Sequence, residues 1–148
     1  ISQFIAACEQ AYLFFQISKF DHSVKKQLIA PKKIYCVDNA ILKLNAFSFS
    51  DNEGRYLENT VFMHLKRLNR EIFYHRLDAE CDFVIIEAIQ VCYNLNDENE
   101  EREIAGLVEA CKTHKLKKGL LLTYDQEDSF VEDGVTITVQ PVWTWLLE

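Results

Sequence analysis

GRYLENTVFMHLKRLNREIFYHRLDAECDFVIIEAIQVCY, the stretch Gly54–Tyr93, decides how this chain is read. Its first half has a helical period: Leu57, Val61, Leu65 and Leu68 recur every three or four residues and form one apolar stripe, which predicts a helix over Gly54–Asn69. The period then changes. Glu71–Arg76, Cys81–Ile86 and Ala88–Tyr93 read as three strands, with a turn at Leu77–Glu80. Glu58 sits on the flank of the helical stripe, and Asp82 directly precedes the apolar run Phe83-Val84-Ile85-Ile86. A carboxylate at the edge of a core is costly unless a proton, a hydrogen bond or a cation compensates it. Two such acids on neighbouring elements make a candidate metal site. The plainer alternative is that Glu58 bonds a strand end and Asp82 caps a turn. Cys81–Tyr93 is too long for one ordinary strand yet holds no turn residue, so additional loop residues are expected near Ile86–Glu87.

Upstream, Ser2–Ala11 reads as a helix with Phe4, Ile5, Cys8 and Ala11 on one face, and Tyr12–Phe20 as a strand. Ser23–Leu28 reads as a return strand after the turn Asp21-His22-Ser23, with Lys25 and Lys26 on its exposed edge. Lys33–Val37 is a short strand, and Asp38 an N-cap for a helix over Asn39–Leu44. The polar loop Phe47–Glu53 is the best junction between two regions. Downstream, Glu98–His114 is a strong helix. Its start is acidic and its end basic, as the helix dipole favours, and Ile104, Leu107, Val108 and Cys111 form its core face. Leu120–Tyr124 is a strand, Asp133-Gly134 a hairpin turn between Ser129–Glu132 and Val135–Gln140, and Pro141 opens a short final helix with Trp143 and Trp145.

Composition bounds what the chain does. At 148 residues, 49% hydrophobic and 26% charged, it can bury a full core. No apolar run approaches the roughly 20 residues that span a bilayer. Five scattered cysteines without a CxxC pair argue against a zinc cage and for reduced thiols in a cytoplasm. Residues 1–50 carry six Lys against three acids, whereas residues 51–148 carry ten Lys or Arg against twenty. The acidic body disfavours broad, non-specific DNA binding. A phosphate contact fits the basic first third better, through Lys25, Lys26, Lys32 and Lys33, although such a run is more often a solvated edge. Ile1 is not an initiator methionine, and the chain is expected to be part of a longer polypeptide.

From Gly54 the order is helix, three strands, helix, strand, an α/β pattern with a mixed central sheet. It resembles the αβββαβ core of the PD-(D/E)XK, or restriction-endonuclease-like, superfamily. More closely, the chain resembles the carboxy-terminal part of prokaryotic AAA-type ATPases that carry a nuclease-like domain of unknown function. The residues that carry the resemblance are AYLFFQISKF (11–20), KKQLIAPKKIYCVDNA (25–40), GRYLENTVFMHLKR (54–67), ECDFVI (80–85), AIQVCYNL (88–95) and PVWTWLLE (141–148). It implies that residues 1–50 are the tail of a winged-helix region with a connecting strand and helix, and that 51–148 are the nuclease-like domain. It further implies an ATPase domain as partner. That domain would bind ATP elsewhere in the full-length protein, because no GxxxxGKS phosphate loop occurs here.

Carried over by position, the resemblance places Glu58 as the helix acid and Asp82 as the strand acid. Gln90 stands where the superfamily has its second strand acid, and Cys92 where it has lysine. Glu58, Asp82 and Gln90 are then the expected catalytic and Mg²⁺-binding set, of a degenerate kind. A Gln carbonyl ligates a hard cation without adding charge, and a thiol of ordinary pKa is mostly neutral at pH 7 and does not replace a lysine cation. Lys66 lies about 80° around the helix from Glu58, a poor substitute. His64 and His75 read as structural, and Cys92 as a buried thiol. Two functions follow: a non-catalytic interaction or nucleic-acid-associated module of an ATPase, or an active Mg²⁺-dependent nuclease.

Overall fold

A computed structural model describes residues 2–45, 52–68 and 70–148. The elements run α1 (Ser2–Gln10), β1 (Phe14–Lys19), α2 (Val24–Ile29), β2 (Lys33–Cys36), α3 (Asn39–Asn45), α4 (Glu53–Arg67), β3 (Phe73–Arg76), β4 (Glu80–Val84), β5 (Ala88–Val91), α5 (Glu100–Thr113), β6 (Lys118–Thr123), β7 (Asp128–Glu132), β8 (Val135–Pro141) and α6 (Val142–Trp145). Among the described residues, eight strands form one mixed sheet in the order β2-β1-β3-β4-β5-β6-β8-β7. The segment α4-β3-β4-β5-α5-β6 follows the αβββαβ order expected from the sequence.

Alternation along the central strands sorts the core into two layers. On β5, Ile89 and Val91 join one apolar cluster, while Ala88 and neighbouring Cys92 join the other. On β6, Leu122 faces the first and Leu121 the second. Successive strand residues point to opposite faces, so the two clusters lie on the two sides of the sheet. Val61, Phe62 and Leu65 of α4 cover the first side. Leu107, Val108, Ala110 and Cys111 of α5 cover the second. The predicted helical stripe is thus the buried one, except that Leu68, just beyond α4, is 52% exposed. The Asp133-Gly134 turn joins β7 to β8, with both residues at positive φ (53° and 81°), the geometry of a two-residue hairpin.

Three expectations are revised. Ser23–Leu28 does not return as a strand: Val24–Ile29 is the helix α2, with the Ser23 hydroxyl accepting from the Lys26 N–H. Both sides of β1 are already paired, with β2 antiparallel (Phe14↔Cys36) and β3 parallel (Ser18↔Phe73), so no edge remains for a return strand. A local cap then decides the conformation of a segment that has no buried residue. The boundary drawn at residue 50 does not divide the sheet, because β1 and β2 extend it beyond β3. The turnless stretch Cys81–Tyr93 closes as a hairpin on Ile85, Ile86 and Glu87 alone, with the Ile85 N–H donating to the Glu87 carbonyl at 2.9 Å. Of the junction expected at Phe47–Glu53, residues 47–51 lie outside those described, and Glu53 begins α4.

One glycine sets how closely α5 approaches the sheet. A Cβ on Gly106 would lie 2.0 Å from the Glu80 carbonyl oxygen, a backbone atom at the start of β4. Gly106→Ala is therefore expected to lose about 1–3 kcal/mol through overpacking, despite the better helix propensity of alanine. A melting temperature several degrees lower would check this, and an unchanged one would show that α5 is free to shift.

Candidate functional site

Where α4, the β3–β4 turn, the β4–β5 pair and the start of α5 converge, they enclose a cleft of about 810 Å³. Its floor is built where the β4–β5 ladder opens. The strands pair at Phe83↔Ile89 and Val84↔Ala88. Beyond that, side chains stand in for the ladder. The Asp82 N–H donates to Gln90 Oε1 (3.1 Å), and the Val91 N–H donates to Asp82 Oδ2 (3.0 Å). Asp82 is thereby fixed with one oxygen committed to the backbone and Oδ1 turned elsewhere.

That other oxygen meets Lys33. The Lys33 ammonium lies 2.8 Å from Asp82 Oδ1, 2.7 Å from Glu80 Oε1 and 3.3 Å from Glu58 Oε1. Its three N–H donors thus face three carboxylates. Tyr35, two residues along the same strand and so on the same face, donates its hydroxyl to Glu58 Oε1 at 2.6 Å. The Tyr35 ring stacks on Phe62 of α4, with centroids 4.3 Å apart, and the Lys33 ammonium lies 5.7 Å from the centroid of the Tyr74 ring. Burial opposes the charged lysine, but the charges of Asp82 and Glu58 and hydrogen bonds to Asp82 and Glu80 outweigh it and hold its pKa above the ordinary value. Burial and the Glu58 charge push the Asp82 carboxyl up to about 7, against the pull of Lys33 and the Val91 N–H. Burial, then the Glu58 carboxylate, hold the Tyr35 phenol well above its usual pKa.

The expected set Glu58, Asp82 and Gln90 is only partly assembled. Glu58 and Asp82 do meet, on either side of the Lys33 ammonium. Gln90 bonds elsewhere: Oε1 takes the Asp82 N–H, and Nε2 donates to Glu103 Oε2. Among the described residues, no group of three or more His, Cys, Asp or Glu side chains is arranged to hold a metal ion. The Glu58–Asp82–Gln90 set as it stands does not fit Mg²⁺, because an ammonium sits between the two acids and the amide serves another network. Cys92, expected from the resemblance to stand in a lysine's position, is buried, and its thiol donates to the Asn94 carbonyl (3.3 Å). Burial and then Glu103 push its pKa up to about 11, so it is neutral at pH 7.

Of the expected basic patch, Lys33 is drawn into the acidic cluster and Lys32 bonds Ser18 Oγ (2.9 Å) and the Gln27 carbonyl (2.8 Å). Lys25 and Lys26 are exposed on α2. Lys66 lies 5.2 Å from the centroid of the Phe15 ring. His64 packs on Trp145, and His75 bonds Glu109 at 2.8 Å. Glu109 also accepts from the Asp78 and Ala79 N–H groups and so holds the β3–β4 turn that leads into Glu80.

Sequence reasoning missed Tyr35, Glu80 and Glu103, and it read Lys33 as part of a phosphate-contacting patch or solvated edge and not as the partner of the acids. Period-2 alternation in Lys33-Ile34-Tyr35 was a usable signal, since it sets the lysine on the face of an aromatic that packs inward. Glu103 carried one too. It lies four residues before Leu107 and so at the head of the buried stripe of α5, where it is 6% exposed and paired to Arg102.

Fold and site together define an α/β protein with an open cleft in whose wall three acids, Glu58, Glu80 and Asp82, are paired to Lys33. The chain is 37% identical, over 162 residues covering 99% of it, to the uncharacterized protein MJ1544 of Methanocaldococcus jannaschii. It is 26% identical, over 154 residues covering all of it, to an uncharacterized protein of Haemophilus influenzae. It spans 36% and 37% of the lengths of these two proteins. No protein-family model and no solved structure matches the chain.

Two substitutions test the site's electrostatics. Lys33→Met removes the cation and raises the Asp82 pKa further above its unfolded value of 3.8. A group whose folded pKa is raised supports the fold below its unfolded pKa and loses that support as pH rises through the folded value. The deficit of the variant relative to the parent should therefore be smallest in mild acid and grow as pH climbs through about 7, towards about 3–5 kcal/mol. Urea denaturation across this range measures it, and a deficit independent of pH contradicts the assignment. Gln90→Glu sets a second carboxylate against Glu103 and should lose about 2–3 kcal/mol at pH 8. The loss should shrink as pH falls, because repulsion between two adjacent carboxylates favours protonating one of them.

Proposed function

We propose that this chain is a non-catalytic, nuclease-like module of a larger polypeptide that carries an AAA-type ATPase domain. In this reading it serves as an interaction surface for that ATPase or for nucleic acid. The observation that carries it is the Lys33 ammonium among Glu58, Glu80 and Asp82. A metal-dependent phosphodiesterase needs a divalent cation at such acids to activate water and to neutralise charge on the phosphate. Here a side chain already compensates them. The Gln90 amide, tied to Glu103, and the neutral Cys92 thiol point the same way. The α4-β3-β4-β5-α5-β6 order supports the nuclease-like part of the reading, and the greater length of both relatives supports the larger polypeptide. Of the expected patch, Lys25 and Lys26 are the two lysines left exposed and open to a phosphate backbone.

The second reading, an active Mg²⁺-dependent nuclease, draws on the convergence of Glu58 and Asp82 in one cleft, and it requires Lys33 to leave. Incubation with single- and double-stranded DNA and RNA in Mg²⁺ or Mn²⁺ separates the two. The proposal expects no cleavage above that of the Glu58→Ala and Asp82→Ala proteins. Cleavage by the parent that both substitutions abolish would overturn it.

A further inference from the structure

We propose that Lys33 is the resident cation of the cleft: its ammonium occupies the place a divalent metal would need among Glu58, Glu80 and Asp82, and the cluster takes Mg²⁺ or Mn²⁺ only when that ammonium is removed. This deepens the non-catalytic reading and rests on the same geometry.

The geometry is that of a bound cation and not of a passing surface pair. Three carboxylate oxygens converge on one nitrogen at 2.7, 2.8 and 3.3 Å. Asp82 Oδ1 belongs to a side chain only 10% exposed, and Glu58 and Lys33 are each 22% exposed. Exposed pairs are weak because water and salt screen them, whereas Asp82, Glu58 and Lys33 are largely withdrawn from water and Glu80, at 37%, is the most exposed of the four. Lys33 is held from both ends. Its backbone is in register opposite Ile17 on β1, and its ammonium has one acceptor for each hydrogen. Tyr35 and Val91 supply further donors to Glu58 and Asp82, so these two acids keep a hydrogen-bond donor besides the lysine.

The charges do not cancel. Three carboxylates against one ammonium leave a surplus of negative charge, which the exposed Arg76 reaches only at Glu80, at 3.5 Å. A divalent ion would match that surplus better, and removal of the lysine would increase it further. Two features keep the metal out of the native protein. Like charges repel at close range, so an ion cannot enter beside the ammonium. The oxygens also stand at ammonium distances, whereas Mg²⁺ requires about 2.0–2.1 Å. Without Lys33 the flexible Glu58 and Glu80 side chains are free to close by the remaining fraction of an ångström to about an ångström.

The test measures metal binding and leaves cleavage aside. The parent, Lys33→Met, Lys33→Gln and the double variant Lys33→Met/Asp82→Asn are melted in chelator and in millimolar Mn²⁺ or Mg²⁺, and titrated with Mn²⁺ by calorimetry. The parent should melt at one temperature in both buffers. The two single variants should melt lower in chelator and regain at least about 5 °C in Mn²⁺, through binding to the native state. Their Mn²⁺ affinity should exceed that of the parent at least tenfold, and the double variant should lose the gain. A single variant that is unfolded in chelator should fold when Mn²⁺ is added. The proposal is overturned if the parent binds Mn²⁺ as tightly as the lysine variants. It is equally overturned if folded lysine variants bind none, or if unfolded ones stay unfolded with Mn²⁺. Parent protein that binds Mn²⁺ as tightly as the lysine variants but cleaves nothing sinks this inference and leaves the non-catalytic reading standing, whereas nucleic-acid cleavage by the parent sinks that reading.

Discussion

Glu58 comes from α4, Glu80 and Asp82 from β4, and their carboxylates share one ammonium, that of Lys33 on β2. Acids placed at the margin of two apolar clusters repel one another and resist desolvation, so the arrangement stands only with a cation among them. The source of that cation constrains the architecture. The β1–β2 pair must lie beside β3 for Lys33 to reach β4, which ties the first third of the chain to the rest of the sheet. Tyr35 repeats the link with its hydroxyl on Glu58 and its ring on Phe62, so one strand contributes both a charge and a piece of the core.

The cleft is two polar networks joined by Gln90. On one side lie Lys33 and its three acids, and on the other Glu103 with Arg102. Gln90 connects them because an amide accepts at one end and donates at the other, to the Asp82 N–H and the Glu103 carboxylate. A carboxylate at position 90 has no donor to give Glu103. The glutamine at position 90 is therefore accounted for by its present neighbours. Similarly, Glu109 holds the β3–β4 turn through two backbone N–H groups and His75, which steadies the approach to Glu80. Hydrogen bonds from His75 and from the Ala79 and Asp78 N–H groups offset the burial of Glu109 and keep its carboxyl below the usual range.

Among the described residues, no helix is long and apolar enough to cross a membrane, and all five cysteines are buried, free thiols. Cys81 and Cys111 lie within the α5-side cluster, where burial raises both thiol pKa values and favours their packing role over reactivity.

What the sequence determined by itself was whatever short-range periodicity encodes. The stripe of α4 and the buried face of α5 were legible because burial of one face imposes a period of about 3.6 on the residues, and β4 and β5 because burial on both faces leaves short apolar runs. The Asp133-Gly134 turn was legible because positive φ selects those residue types. Glu58 and Asp82 were legible as acids at the edge of apolar runs. Tertiary structure decided the rest. Val24–Ile29 became helical because β1 had no free edge to offer, a fact about β2 and β3 and not about Ser23–Leu28. The cation of the cleft was decided the same way. Lys33 lies 49 residues from Asp82 and 25 from Glu58 in sequence, and the alternation that sets it on the inward face with Tyr35 does not say which strand pairing will carry it among three carboxylates. Coulombic attraction depends on distance in space, and only the sheet order sets that distance.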